Sequence, residues 1–144
     1  MPEINALPLI MNDEDIRQIL STCKTVCVVG ISPEPHKPSY FVSNKLKDLG
    51  FKLCLVNPKY AGQNILGERV YASIDEIPQE IDIVDVFRRP SAIPEVAKAA
   101  KEKGFKTFWM QPGTENMEVA GQLDYEGYNV VAKKCIKVES MRLL

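Results

Sequence analysis

Four short segments of this chain hold residues suited to gripping an anion. In VVGIS, Gly30 and Ser32 stand at the spacing where a dinucleotide-binding turn places its first two glycines. Gly30 permits a tight turn, and the Ser32 hydroxyl can join backbone N–H groups in meeting a phosphate at the following helix. The third glycine of G-x-G-x-x-G is missing, because the loop that follows carries Pro33, Pro35 and Pro38. In the second segment, Asn57, Pro58 and Lys59 stand where a NAD-binding unit needs an acid for its ribose hydroxyls. A lysine there suits a phosphate, which turns the reading from NAD to NADP or to a nucleotide phosphorylated on its ribose, such as coenzyme A. The third segment supplies Arg88 and Arg89, whose guanidinium forks match phosphate oxygens. Together with Lys37 and Lys59 they would gather four cations on one rim. The bland alternatives are a solvated Lys59, and arginines paired with Asp85 or Glu115. In the fourth segment Gln111 offers an amide, Gly113 permits close backbone approach, and Thr114 with Glu115 opens a helix.

Other reactive types are poorly placed for catalysis. His36 is the sole histidine and sits among prolines with no serine–histidine–acid pattern, which excludes a multi-histidine metal centre. The four cysteines match neither CxxC nor zinc-ligand spacing. Cys27 and Cys54 fall inside apolar runs, where a thiol is ordinarily a small apolar filler. Cys135 differs, since it follows Lys133 and Lys134, a setting in which thiols are reactive. Trp109 lies on an apolar run and reads as core. No G-x-x-x-x-G-K-[ST] motif is present for a nucleotide's phosphates.

The elements that must position these residues alternate. KTVCVVG (24–30), FKLCLVNP (51–58) and IDIVDVF (81–87) are β-branched, apolar runs of the kind buried on both faces of a parallel sheet. FKTFWMQPG (105–113) and YNVVA (128–132) give two more strands. KYAGQNILGE reads as turns, and 69–71 as a short edge strand. Helical spacing predicts a leading helix over 13–22 capped by Asn12, and a second from Ser39 to Gly50. A brief helix follows Ser73, another runs from a Ser91 cap to Lys103, and one opens at Thr114 and continues to about Tyr125. The tail KKCIKVESMRLL is ambiguous. Such alternation predicts an α/β fold, a doubly wound parallel sheet in a single domain over 1–144 with its core at about 13–140. The expected strand order is 3-2-1-4-5-6, and ligands bind outside the carboxyl ends of the strands where that order reverses. That rule brings loops 30–39, 57–60, 87–90 and 111–114 together.

With 144 residues, the chain is one domain's worth, long enough to bury a core without staples. Its 45% hydrophobic and 26% charged residues, with a net charge of -1, exclude a disordered chain and an overall basic nucleic-acid binder. No apolar run approaches a membrane span, and residues 1–12 lack the pattern of a signal peptide, so a cytoplasmic protein is expected.

The succession VVGIS, PSYFVSNKL, VNPKYAGQNILGERVYASIDEIP, VDVFRRPSAIPEV, WMQPG and CIKVE resembles the small stand-alone coenzyme A-binding proteins. These are similar to the N-terminal domain of the succinyl-CoA synthetase α subunit and of related ADP-forming acyl-CoA synthetases. The resemblance covers about residues 13–140 and implies a Rossmann-like fold. It implies that Gly30 and Ser32 meet the phosphates of coenzyme A, and that Asn57, Pro58 and Lys59 border the nucleotide and its ribose phosphate. Phe87 and Arg88 would wall the cofactor, with Gln111 and Gly113 near the pantetheine exit. The phosphorylated histidine of the synthetases lies on a second domain and does not correspond to His36. The expectation is therefore a module that binds coenzyme A or an acyl-CoA without chemistry of its own, as carrier, sensor or partner of an acyl-CoA enzyme. The alternative is a small NADP-dependent oxidoreductase, for which no general acid is evident. A third reading has Cys135 exchange with the coenzyme A thiol.

Overall fold

The computed structural model describes residues 12–144. Helix α1 (Asp13–Thr22) starts where the Asn12 side chain accepts from the backbone N–H of Asp15 at 2.8 Å, and it turns Ile16, Ile19 and Leu20 inward. Strand β1 (Thr25–Val29) leads to α2 (Pro38–Asp48), whose first residue is a proline, tolerated because that N–H has no partner within the helix. Then come β2 (Lys52–Val56), β3 (Asn64–Ile65), β4 (Glu68–Tyr71), β5 (Ile83–Val86), α3 (Ile93–Lys103), β6 (Thr107–Met110), α4 (Met117–Tyr125), β7 (Asn129–Ala132) and α5 (Ile136–Leu143).

The sheet order is β3-β4-β2-β1-β5-β6-β7, parallel throughout except for β3, which runs antiparallel to β4. With β4 as the third major strand, this is the expected order. β3 is an addition: the stretch read as turns is a hairpin through Leu66 and Gly67, both at positive φ (53° and 78°). Alternate strand residues feed two cores. Cys27, Val29, Cys54, Val56, Val84 and Val86 pack beneath α3 and α4, whereas Val26, Val28, Leu55, Ile83 and Trp109 pack beneath α1, α2 and α5.

Two helix boundaries differ from expectation, and the tail resolves into a helix. Ser91 does not cap α3; Pro90–Ala92 form a single 3-10 turn, and α3 begins at Ile93 with no side-chain cap. Thr114 does not open α4 either. Its hydroxyl donates to the Gln111 carbonyl at 2.7 Å, while Asn116 accepts from Val119 N–H at 3.2 Å and starts α4 at Met117. The ambiguous tail is α5, held to α1 by Arg142, which reaches both Asp13 (2.6 Å) and Glu139 (2.7 Å). The guanidinium hydrogen-bonded to Asp13 holds that carboxyl below its ordinary range.

Candidate functional site

Because β1 and β5 are neighbours whose connections leave in opposite directions, the loops at their carboxyl ends part and leave a crevice. Gly30 makes the junction there. It adopts φ 99°, and a Cβ on it would lie 2.6 Å from the Phe87 carbonyl oxygen, so the two loop starts approach as closely as only glycine permits. The crevice opens into a cavity of about 770 Å³. Gly30, Ser32, Lys37, Asn57, Lys59, Phe87, Arg88, Arg89, Gln111 and Gly113 all line it. Pro58 does not. It lines an adjoining cavity of about 540 Å³ that shares Gly30, Asn57, Lys59 and Arg88 with the first.

The first loop is more tightly tied than its sequence suggests. The backbone N–H of Ser32 donates to Ser39 Oγ at 3.0 Å, and Ser32 Oγ accepts from Glu34 N–H at 3.1 Å. What Ser32 leaves for a ligand is its hydroxyl hydrogen, not its own amide. Asn57 crosses from the second loop to the first, donating from its side-chain amide to the Ile31 carbonyl at 2.8 Å and accepting from Lys59 N–H at 3.0 Å. Its role is to fix the Lys59 backbone against the first loop.

Among the described residues, Lys37, Lys59, Arg88 and Arg89 make no ion pair. The pairings considered for the arginines do not occur. Asp85 is wholly buried with no partner for either oxygen, and Glu115 accepts from Gly113 N–H at 3.1 Å. Of the acids among the described residues, only Glu34 lines the larger cavity, against four cations. His36 is 72% exposed and lies 3.5 Å from Glu34, outside the cavity lining.

Several lining residues escaped the sequence reading. Phe41 of α2 is 42% exposed and lines the cavity, whereas helical spacing groups it with Val42 and Leu46 on the helix's apolar face. Tyr60 and Pro112 also line the cavity, as does Cys135, which its lysine neighbours already mark in the sequence. Trp109 is core, as expected, but its indole N–H donates to the Lys134 carbonyl at 2.7 Å and so fixes the turn before Cys135. The other thiols lie elsewhere. Burial pushes Cys23, Cys27 and Cys54 above the ordinary thiol range. Among the described residues no cluster of three or more His, Cys, Asp or Glu could hold a metal, and no helix is long and apolar enough to cross a membrane.

Comparison with known proteins decides which family this crevice belongs to. A family model described as the CoA binding domain matches residues 24–141, most of the chain. The chain belongs to the CoA-binding domain family. The uncharacterized protein YneT of Bacillus subtilis is 38% identical over 124 residues, covering 86% of this chain and 90% of YneT. The ADP-forming acetate–CoA ligase of Methanocaldococcus jannaschii is 30% identical over 87 residues, covering 60% of this chain but only 12% of the ligase. Among solved structures, a hypothetical protein from Pyrococcus horikoshii OT3 superimposes with a TM-score of 0.89 at 36% identity, over 99% of each chain. This CoA-binding domain is thus a Rossmann-like α/β fold whose relatives include the corresponding region of ADP-forming ligases.

Proposed function

We propose that the chain binds coenzyme A or an acyl-CoA through its 3′-phosphorylated ADP part, and performs no chemistry on it by ATP-dependent activation. The observation that carries the reading is the set of four cations around one cavity at the switch point, without an ion-pair partner among the described residues, in a chain that belongs to the CoA-binding domain family. Lys59, at the end of β2, is the group for the ribose phosphate, and Asn57 holds its backbone in place. Arg88 and Arg89 face the diphosphate beside Gly30 and the Ser32 hydroxyl. Beyond them the lining turns to Phe41, Gln111, Pro112 and Gly113, a mixed apolar and amide surface suited to the pantetheine arm. The module would then carry or sense coenzyme A for an acyl-CoA enzyme.

NADP shares the ribose phosphate but lacks the pantetheine arm, which makes it the discriminating ligand. Titration calorimetry is expected to give affinity for coenzyme A above that for dephospho-coenzyme A by roughly 10- to 150-fold, the worth of one charge-assisted contact at about 1.5–3 kcal/mol. Lys59→Ala should remove that preference. Tighter binding of NADP than of coenzyme A, or equal affinities for coenzyme A and its dephospho form, would overturn the reading.

A further inference from the structure

We propose that Cys135 is a thiol-exchange site for the cavity's ligand, taking one half of a coenzyme A disulfide as a mixed disulfide; this rests on the binding reading above. Of the four cysteines only Cys135 lines the cavity, and it is half-buried where the other three are buried. Its position is held from both sides. The Lys134 carbonyl accepts from the Trp109 indole at 2.7 Å, and the backbone N–H of Ile136 donates to Gln111 Oε1 at 3.0 Å. Two buried side chains on β6 and just beyond it therefore fix the peptide groups flanking the cysteine.

Gln111 supplies an independent sign of a ligand at the same spot. It is only 4% exposed, its carbonyl is tied to the Thr114 hydroxyl at 2.7 Å, and its side-chain oxygen is committed to Ile136. Its side-chain nitrogen donates to no atom among the described residues, and the residue lines the cavity. That nitrogen is not sealed off from the cavity, so an acceptor arriving with the ligand can take its hydrogens in place of water. The amide carbonyls of a pantetheine arm are such acceptors.

Span places the thiol end of the ligand there. Lys59 follows β2 and Cys135 follows β7, with β1, β5 and β6 between them. Four inter-strand steps of about 4.8 Å separate the two by roughly 19 Å. A ligand with its ribose phosphate at Lys59 must reach across the sheet edge by its long arm, and that arm ends in sulfur. In the exchange, the Cys135 sulfur, having released its proton to solvent, attacks one sulfur of the coenzyme A disulfide. The ligand's S–S bond breaks, a bond between Cys135 Sγ and that sulfur forms, and coenzyme A leaves as a thiolate that takes up a proton. One disulfide is consumed and one is made, so no other oxidant enters, and free coenzyme A reverses the step.

Intact-mass analysis of the full chain incubated with coenzyme A disulfide tests this, with glutathione disulfide at equal concentration as the untemplated comparison. The expected result is one adduct per chain, mapped by peptide analysis to Cys135, formed at least tenfold faster than with glutathione disulfide and slowed by saturating desulfo-coenzyme A. Cys135→Ser should form none. Equal rates with both disulfides, or adducts on other cysteines, would overturn the proposal. Calorimetry with desulfo-coenzyme A, which has no thiol, separates the two readings. Binding without an adduct from the disulfide leaves the binding function standing and removes the exchange, whereas no binding removes both.

Discussion

The carboxyl of Asp85 lies at the middle of the sheet, in register with Val28 on one side and Trp109 on the other, wholly buried and without a hydrogen-bond partner among the described residues. Burial pushes it well above the ordinary carboxylate range, so the folded chain holds its proton to a higher pH than the unfolded chain does. Over that interval the native state binds more protons, and its stability falls as pH rises from about 3.8. Asp85→Asn removes the titration. The variant should gain on the native chain progressively above about pH 4, by roughly 1.4 kcal/mol for each tenfold displacement of the proton equilibrium. Urea midpoints of both chains on either side of that pH check it, and a constant difference would contradict it. The sequence shows Asp85 three residues ahead of an arginine pair and invites an ion pair. Strand alternation decides otherwise, because Asp85 shares the sheet face of Ile83, whereas the arginines lie past the strand's end. Gly30, Lys59 and Arg88 were legible because their types and positions follow from strand ends alone. Cys135 was legible as a reactive type, yet its neighbours in the cavity, Phe41 and Gln111, come from segments far apart in sequence.

At the scale of elements, Asp82 joins three strands at the edge opposite the cavity. Its carboxylate accepts from the backbone N–H groups of Lys24 (2.8 Å) and Thr25 (3.0 Å) at the start of β1, and Lys106 ahead of β6 lies 3.3 Å away. Burial works to raise this carboxyl, but the hydrogen bonds from Lys24 and Thr25 together with the Lys106 ammonium outweigh it and the net displacement is downward. Asp82 therefore stabilises the fold above the unfolded value of about 3.8, and the contribution is lost as pH falls through the lower folded value. Asp82→Ala should cost about 1.5–3 kcal/mol near neutral pH and progressively less in acid, measured by denaturant unfolding. A cost independent of pH would show that packing, not charge, was removed. The major strands were readable because each is a continuous buried run. Strand β3 of the β3–β4 hairpin reads only as turns, because it is two residues long (Asn64–Ile65), too short to show an alternating pattern. The stripe of α5 was equally obscure, since Glu139 and Ser140 are buried beside Ile136 and Leu143 and blur the helical period.

Taken as one molecule, the domain sets the loops that carry Lys37, Lys59, Arg88, Arg89 and Gln111 at one edge of a parallel sheet, around one cavity. Making a thioester at the expense of ATP needs a residue that carries a phosphoryl or acyl group between a nucleotide and coenzyme A. The ligase of Methanocaldococcus jannaschii matches this chain over 12% of its length, so the likeness extends to one part of that enzyme and not to the rest. His36, the sole histidine, is 72% exposed beside Glu34 and outside the cavity lining, with no buried partner to orient it. The sequence also has no P-loop to cradle a triphosphate. The expected outcome of incubating the chain with ATP, magnesium, coenzyme A and simple carboxylic acids is no acyl-CoA and no phosphohistidine, by chromatography and intact mass. Coenzyme A alone at 100 times its dissociation constant should stabilise the chain by about 2.7 kcal/mol, roughly 5–10 °C in melting temperature. Stabilisation without turnover is what a binding module gives; acyl-CoA that appears with the native chain and is lost in His36→Asn would instead make this domain an enzyme.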